Sequence, residues 1–288
     1  MSAPLLSAKN LSVRFGGVLA VNNVSFDVKP GEVFTLIGPN GAGKTTVFNL
    51  ISRIYTPTTG EIDYQGPHGK VKLTAQAPQD VATLGIARTF QNIELFEHAS
   101  VLHNLLIGRH THRQTGFWQD LFFTQAVRDA ELRSREKAEE VIDFLSLQHY
   151  RDTFVAGLPY GVRKVVELAR ALCTEPRLLL LDEPSSGLNV EETDDMAFWI
   201  QDIQHELGIS VLMVEHDMGL VSKVSDRVLA MNQGEVLATG TPREVQSDPG
   251  VIEAYLGSVD DVSSLRRSSS ASIGAAASAT TGSSGGAA

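Results

Sequence analysis

The sequence predicts an α/β fold: a largely parallel, covered sheet with a helical block set into it. Three observations carry this. Apolar strands alternate with helical segments through the second half of the chain, the pattern of buried parallel strands joined by helices. A glycine-rich stretch, Gly38 to Gly43, separates an apolar strand from a helix in the first half. Between about Phe96 and Tyr150 the character turns helical. There, residues 127–147 put their charges on one side and Val127, Ala138, Val141, Ile142 and Leu145 on the other.

In chain order, residues 11–13, 24–28 and 33–37 read as short strands, punctuated by Gly16-Gly17 and Pro30-Gly31. A helix is predicted over 45–54, and the turn-rich segment 55–78 holds strand fragments around 61–64. After the helical block a helix covers 162–174, followed by a buried strand over 177–181 and a helix near 191–207. A second apolar strand, 210–214, and two final strands around 227–231 and 235–239 complete the pattern. From Ser268 to Ala288 only Ser, Ala, Gly, Thr and Ile273 occur, too little apolar or charged content to offset the entropy of ordering. The expected division is therefore one ordered unit over 1–257 and a disordered tail over 258–288. No internal repeat is visible.

Of 288 residues, 42% are hydrophobic and 20% charged, ordinary for a globular chain. The formal charge of −10, without a run of Lys or Arg, argues against a nucleic-acid partner. One cysteine, Cys173, excludes an intrachain disulfide framework and reads as a small buried hydrophobe. No apolar stretch approaches the ~20 residues a membrane span needs. The first ten residues lack the basic start and apolar run of a signal peptide.

Gly38-Pro39-Asn40-Gly41-Ala42-Gly43-Lys44-Thr45 matches the phosphate-loop pattern in full, directly after a buried strand and at the start of a helix. Its glycines let backbone N–H groups converge on a phosphate, and the helix N-terminus adds its dipole. Lys44 is placed for β- and γ-phosphates, the Thr45 hydroxyl for Mg²⁺, and Thr46 for the α-phosphate. By chance the bare pattern arises in about one chain in a hundred of this length, and its strand–helix context narrows that further. Four leucines then end in Asp182-Glu183, delivering two carboxylates to the C-terminal edge of a buried strand beside that loop. Asp182 is placed to hold Mg²⁺ through water, and Glu183 to polarise an attacking water. His216 follows another apolar strand and can reach a γ-phosphate or orient Glu183, although a lone His in that position is more often structural. Gln91 can sit near the metal and the attacking water, although alone it reads as a surface polar residue.

Taken together these pieces resemble the ATP-binding cassette (ABC) family of transporter ATPases over roughly residues 5–257. The order matches: phosphate loop, Gln91, helical block, 158–162, 178–183, Ser185-Ser186-Gly187-Leu188-Asn189 and His216. The resemblance implies a P-loop NTPase core with an antiparallel β subdomain and an inserted helical subdomain, about 96–160. It implies that Phe15 stacks on adenine, the alternative being a core strand side chain. It also implies that Gln91 couples the γ-phosphate to a membrane partner. Leu158-Pro159-Tyr160-Gly161-Val162 stands where the family usually has Leu-Ser-Gly-Gly-Gln. In the family this segment closes over ATP held by a second subunit. Pro159 has neither hydroxyl nor N–H, so the Gly161 N–H and the following helix N-terminus remain as donors. Asn189 is a second departure, since Asp is commoner there.

Residues 85–92, Leu95-Phe96, 104–106, 213–218 and 251–257 narrow the resemblance to the ATPase of branched-chain amino acid importers, where Leu-Pro-Tyr-Gly is also at home. That implies a cytoplasmic-face subunit bound peripherally to the inner membrane, hydrolysing ATP with Mg²⁺. It would pair with a second cassette, itself or a sister chain, and act on two polytopic permease subunits and, through them, a solute-binding protein. Two rivals follow from the same residues: a lipid or lipopolysaccharide export ATPase, which shares the Tyr-Leu-Gly close, and a soluble non-transport ABC ATPase. Against the latter, only 66 residues separate Gln91 from Leu158, and there is a single phosphate loop. A nucleotide sensor without hydrolysis would be expected to lack Glu183.

Overall fold

The computed structural model describes residues 3–89, 93–112 and 125–255. Two sheets organise them. The first is antiparallel, in the order β2-β1-β4-β5, from β1 (Leu6–Phe15), β2 (Val18–Val28), β4 (Thr59–Gly66) and β5 (Gly69–Lys72). The second has the order β10-β9-β3-β8-β7-β6, from β3 (Val33–Ile37), β6 (Ile86–Arg88), β7 (Leu178–Asp182), β8 (Ser210–Val214), β9 (Arg227–Asn232) and β10 (Glu235–Gly240). Its strands are parallel except β10, which folds back on β9. The Gln233-Gly234 turn makes that reversal, both residues having φ near +50 to +84° as a tight hairpin requires.

The unbroken apolar runs of the parallel strands follow from burial on both faces. In β7, Leu178 and Leu180 pack with Phe34, Leu36, Val47 and Phe48 on one side. Leu179 and Leu181 pack with Val166, Leu168 and Ile200 on the other. β8 alternates likewise, Leu212 and Val214 against Val211 and Met213. The first layer is closed by α1 (Lys44–Ile51) and the antiparallel sheet. The second is closed by α2 (Val101–Gly108), α3 (Gln125–Phe144), α4 (Tyr160–Leu172) and α5 (Val190–His205). A smaller cluster gathers Ile37, Val228 and Val245 under α6 (Met218–Val224), α7 (Pro242–Gln246) and the helical stretch 249–255.

The apolar side expected over 127–147 is the buried side: Val127, Ala138, Val141, Ile142 and Leu145 are each at most 5% exposed. Several helix limits differ from expectation by one to three residues, two of them for a visible reason. α1 stops at Ile51 because Arg53 turns left-handed, leaving Ile54 exposed. α4 starts at Tyr160: Pro159 is its N-cap residue, with an extended ψ of 154°, and the Pro159 carbonyl accepts the first helical bond from Arg163 N–H at 3.0 Å. Strands β5 and β6 were not expected; they are four and three residues long, too short to show a period. The expected tail over 258–288 lies outside the described residues, as does Gln91.

Candidate functional site

β3, β8 and β7 lie side by side and end at one edge of the sheet. That adjacency brings the loop 38–43, Asp182, Glu183 and His216 to a single rim. The loop is held shut by backbone. Gly38, at φ +146°, lies so close to Met231 that a Cβ would meet its carbonyl oxygen at 2.2 Å. Gly43, at φ +99°, would meet the Ala20 carbonyl at 2.6 Å. Gly234 N–H donates to Ala42 O at 3.1 Å, tying the loop to the β9–β10 turn. Only glycine fits these two positions.

Lys44 is buried, and its ammonium donates to the carbonyls of Gly38 at 2.6 Å and Pro39 at 3.1 Å. Burial pushes its pKa down, while the carboxylates of Glu183 and Asp182 push it back up. A phosphate arriving at this loop meets an ammonium already folded over it. Thr45 is exposed and Thr46 half-buried on the first turn of α1; Pro39 is half-buried, and Asn40 and Gly41 form the loop's exposed crest.

Asp182 is 4% exposed, and its Oδ2 accepts from Arg88 Nη2 at 2.8 Å. Glu183 holds a left-handed backbone, φ +51°, rare for a non-glycine residue and of order 1–2 kcal/mol in strain. Two bonds fix it there: its N–H donates to Val214 O at 2.9 Å, and Lys164 Nζ donates to its carbonyl at 3.0 Å. Burial lowers the Lys164 pKa, opposed by Glu167, Glu215, Glu183 and Asp182 in turn.

His216 exposes 58% of its side chain, with Nδ1 3.8 Å from Glu215 Oε2. The neighbouring Glu215 is fully buried and gathers three backbone donors: Ser185 N–H at 2.9 Å on Oε1, and His216 N–H at 2.7 Å and Asp217 N–H at 3.1 Å on Oε2. It locks the loop after β7 to the loop after β8.

Gly161 stands apart from these, on the first turn of α4 against α5. A Cβ there would meet Glu192 Oε1 at 2.2 Å. Glu192 and Asn189 cap α5 reciprocally, at 2.9 and 3.0 Å. Asn189, in place of the commoner Asp, therefore caps the helix that supports Gly161. Tyr160 lies over Gly187 and donates to Ser186 O at 3.4 Å. Phe15 ends β1 beside the Gly16-Gly17 turn; it is 44% exposed and stacks edge-on against Tyr55 with ring centroids 5.0 Å apart. It is not a core side chain.

Four contributors escaped the sequence reading: Arg88, Lys164, Glu215 and Tyr255. Glu215 alone left a signal, an acid directly following an apolar strand and preceding His216. Burial pushes the phenol of Tyr255, in the stretch 249–255, above its ordinary pKa while the backbone of Gly38 pulls it back, so the end of the described chain lies beside the start of the phosphate loop.

The sequence model for ABC transporters matches residues 21–186, more than half of the chain. The chain belongs to the ABC transporter family. A second model, for branched-chain amino acid ATP-binding cassette transporters, matches residues 235–261. The cassette is 42% identical over 257 residues to the high-affinity branched-chain amino acid transport ATP-binding proteins LivG of Salmonella typhimurium and BraF of Pseudomonas aeruginosa, spanning 89% of this chain and 99% of each relative. Among solved structures, the ADP conformation of MJ1267, an ATP-binding cassette of an ABC transporter, superposes with a TM-score of 0.76. It is 30% identical, covering 89% of this chain and all of that one. The fold is that of an ABC ATPase, and the chain is an ATP-binding, ATP-hydrolysing subunit of an ABC importer.

The donor set fits the nucleotide and a divalent cation. The loop offers backbone N–H groups and a buried ammonium to phosphates. Among the described residues no group of three or more His, Cys, Asp or Glu converges. Mg²⁺ is commonly held by one or two protein oxygens plus phosphates and water, and Thr45 and Asp182 are of that kind.

Proposed function

We propose that this cassette energises the uptake of branched-chain amino acids or closely related solutes. The observation that carries the reading is the joint one: an intact phosphate loop and carboxylate pair, in a chain matched over 89% of its length by transport ATP-binding proteins named for those solutes. The ammonium of Lys44 binds the β- and γ-phosphates, and the loop N–H groups orient them. Thr45 and Asp182 would hold Mg²⁺, which when bound would neutralise phosphate charge. Glu183 accepts a proton from the water that attacks the γ-phosphorus, and ADP leaves with the displaced electron pair. Gln91 and His216 orient that water and the γ-phosphate.

Gly161 and the N-terminus of α4 complete the site on a second cassette, so the working unit is a dimer, of this chain or with a sister. Phe15 stacks against the adenine. No helix among the described residues is long and apolar enough to cross a membrane, so two polytopic permease subunits anchor the pair at the cytoplasmic face of the inner membrane. A separate solute-binding protein delivers the cargo. The residues 96–160 form the helical subdomain of the unit 1–257 and, with the segment around Gln91, the face toward the permeases.

The test is uptake of radiolabelled leucine by cells in which Lys44→Ala replaces the native chain. High-affinity uptake should vanish and return with the native gene. Normal leucine uptake in the variant sinks the branched-chain reading and turns the search to other solutes and to lipid export.

A further inference from the structure

Arg88 has no place in the mechanism above, yet it is the group in direct ionic contact with Asp182. It ends β6, whose register with β7 sets Arg88 opposite Leu180, two residues before that acid. Its guanidinium is held from several sides. Nη2 donates to Asp182 Oδ2 at 2.8 Å, and Nη1 donates to Asn49 Oδ1 at 2.7 Å and Ser52 Oγ at 3.0 Å. Its Cζ lies 5.6 Å from the centroid of the Phe48 ring. The Arg88 and Asp182 side chains are 10% and 4% exposed, so solvent screens the pair weakly. Asn49, Ser52 and Phe48 all belong to α1 or its cap, the helix that follows the phosphate loop. Arg88 thus ties the end of β7 to the helix whose first turn carries Lys44 and Thr45.

We infer that Arg88 is a positioning residue, the resident counter-ion of Asp182, which weakens this carboxylate's pull on Mg²⁺ and thereby keeps metal-dependent nucleotide binding readily reversible. The inference rests on the reading of Asp182 as the metal-side acid. The planar guanidinium presents its charge and its donors as a rigid fork, which suits it to a fixed contact with a carboxylate. A buried carboxylate without a partner is costly, which makes Arg88 the charge that offsets Asp182 at contact distance, 2.8 Å. When a dication binds nearby, the same fixed charge opposes it. Lys44 and Lys164 also act on Asp182, at longer range, while Glu183, Glu167 and Glu215 partly offset those lysines. Arg88 differs in being in contact and in being anchored on α1, so it cannot swing aside at little cost.

The test compares ADP affinity of the full chain with Mg²⁺ and with EDTA, and reads the ratio of the two dissociation constants. ADP avoids turnover, and damage common to both conditions cancels. Arg88→Met should raise the Mg²⁺ ratio about tenfold, because a fixed opposing charge is gone. Arg88→Lys, which keeps the charge, should stay within about threefold of the native ratio. Should Arg88→Met fail to fold, Asn49→Ala with Ser52→Ala releases the anchor instead and should raise the ratio in the same direction. A native or lowered ratio in Arg88→Met, or in the anchor variant where that must be used, overturns the inference. Asp182→Ala serves as the separate check: the ratio should collapse toward one. If Asp182→Ala leaves the ratio unchanged, the metal reading of Asp182 falls, and the role of Arg88 with it.

Discussion

Replacing Glu215 by Gln changes one buried atom and isolates what its charge does. The carboxylate accepts from Ser185, His216 and Asp217 at 2.9, 2.7 and 3.1 Å, and the residue has no exposed surface. Hydrogen bonds to a charged acceptor are worth about 1.5–3 kcal/mol each, roughly twice the neutral kind. A glutamine best turns its oxygen to His216 and Asp217, keeping two bonds at the weaker value. Its NH₂ then faces the Ser185 N–H, leaving a buried donor unmet at about 1–3 kcal/mol. Removing a buried charge recovers part of its desolvation, so the net loss is about 3 kcal/mol. That is a large share of the 5–15 kcal/mol typical of a domain, yet leaves the fold populated. Urea unfolding of Glu215→Gln against the native chain, with equal slopes, reads the difference directly. A loss below about 1 kcal/mol refutes the claim that this carboxylate locks the two loops together.

Glu183→Gln should retain ATP affinity while slowing hydrolysis by about 10²–10⁴-fold; native turnover removes Glu183 from the role of base. Gly43→Ala meets the Ala20 carbonyl at 2.6 Å in a backbone conformation costing about 1–2 kcal/mol for alanine. Nucleotide affinity, read by fluorescent-nucleotide titration, should fall about tenfold or more, and an unchanged affinity would contradict the sealed loop. Burial pushes the Cys173 thiol from an ordinary 9.0 up to about 12. Between those values the unfolded chain gives up a proton that the folded one keeps. Folding is therefore favoured fully below pH 9 and penalised progressively above it, by about 1.4 kcal/mol per pH unit at most. Denaturant midpoints at pH 8 and pH 10 should drop further for the native chain than for Cys173→Ala; equal drops would place the thiol in water.

What the sequence made legible was local in kind. The phosphate loop is a contiguous run in which Gly38 and Gly43 answer to neighbours only Gly can tolerate, so its chemistry is written at one place. The same holds for Asp182 and Glu183, since four apolar residues before two acids announce a buried strand with a functional end. Arg88 and Lys164 were not legible, because their meaning depends on which strands and helices lie beside them. Nothing in Ala87-Arg88-Thr89 distinguishes a buried counter-ion from a surface charge until β6 is paired with β7. β6 itself, three residues long, offers no periodicity. α4 starts two residues before the expected 162, since Pro159 occupies the N-cap position and its carbonyl accepts from Arg163 N–H, which no side-chain capping pattern in the sequence announces.

The phosphate loop is sealed on one side by Ala20 and on the other by Met231 and Gly234. These partners come from opposite ends of the described chain. During synthesis, then, the loop emerges early but stays unclosed until the β9–β10 hairpin has left the ribosome. A chain cut short before residue 231 would keep the motif but lack the Met231 and Gly234 contacts that seal it. The last of the described strands thus supply contacts for which the early-made loop must wait.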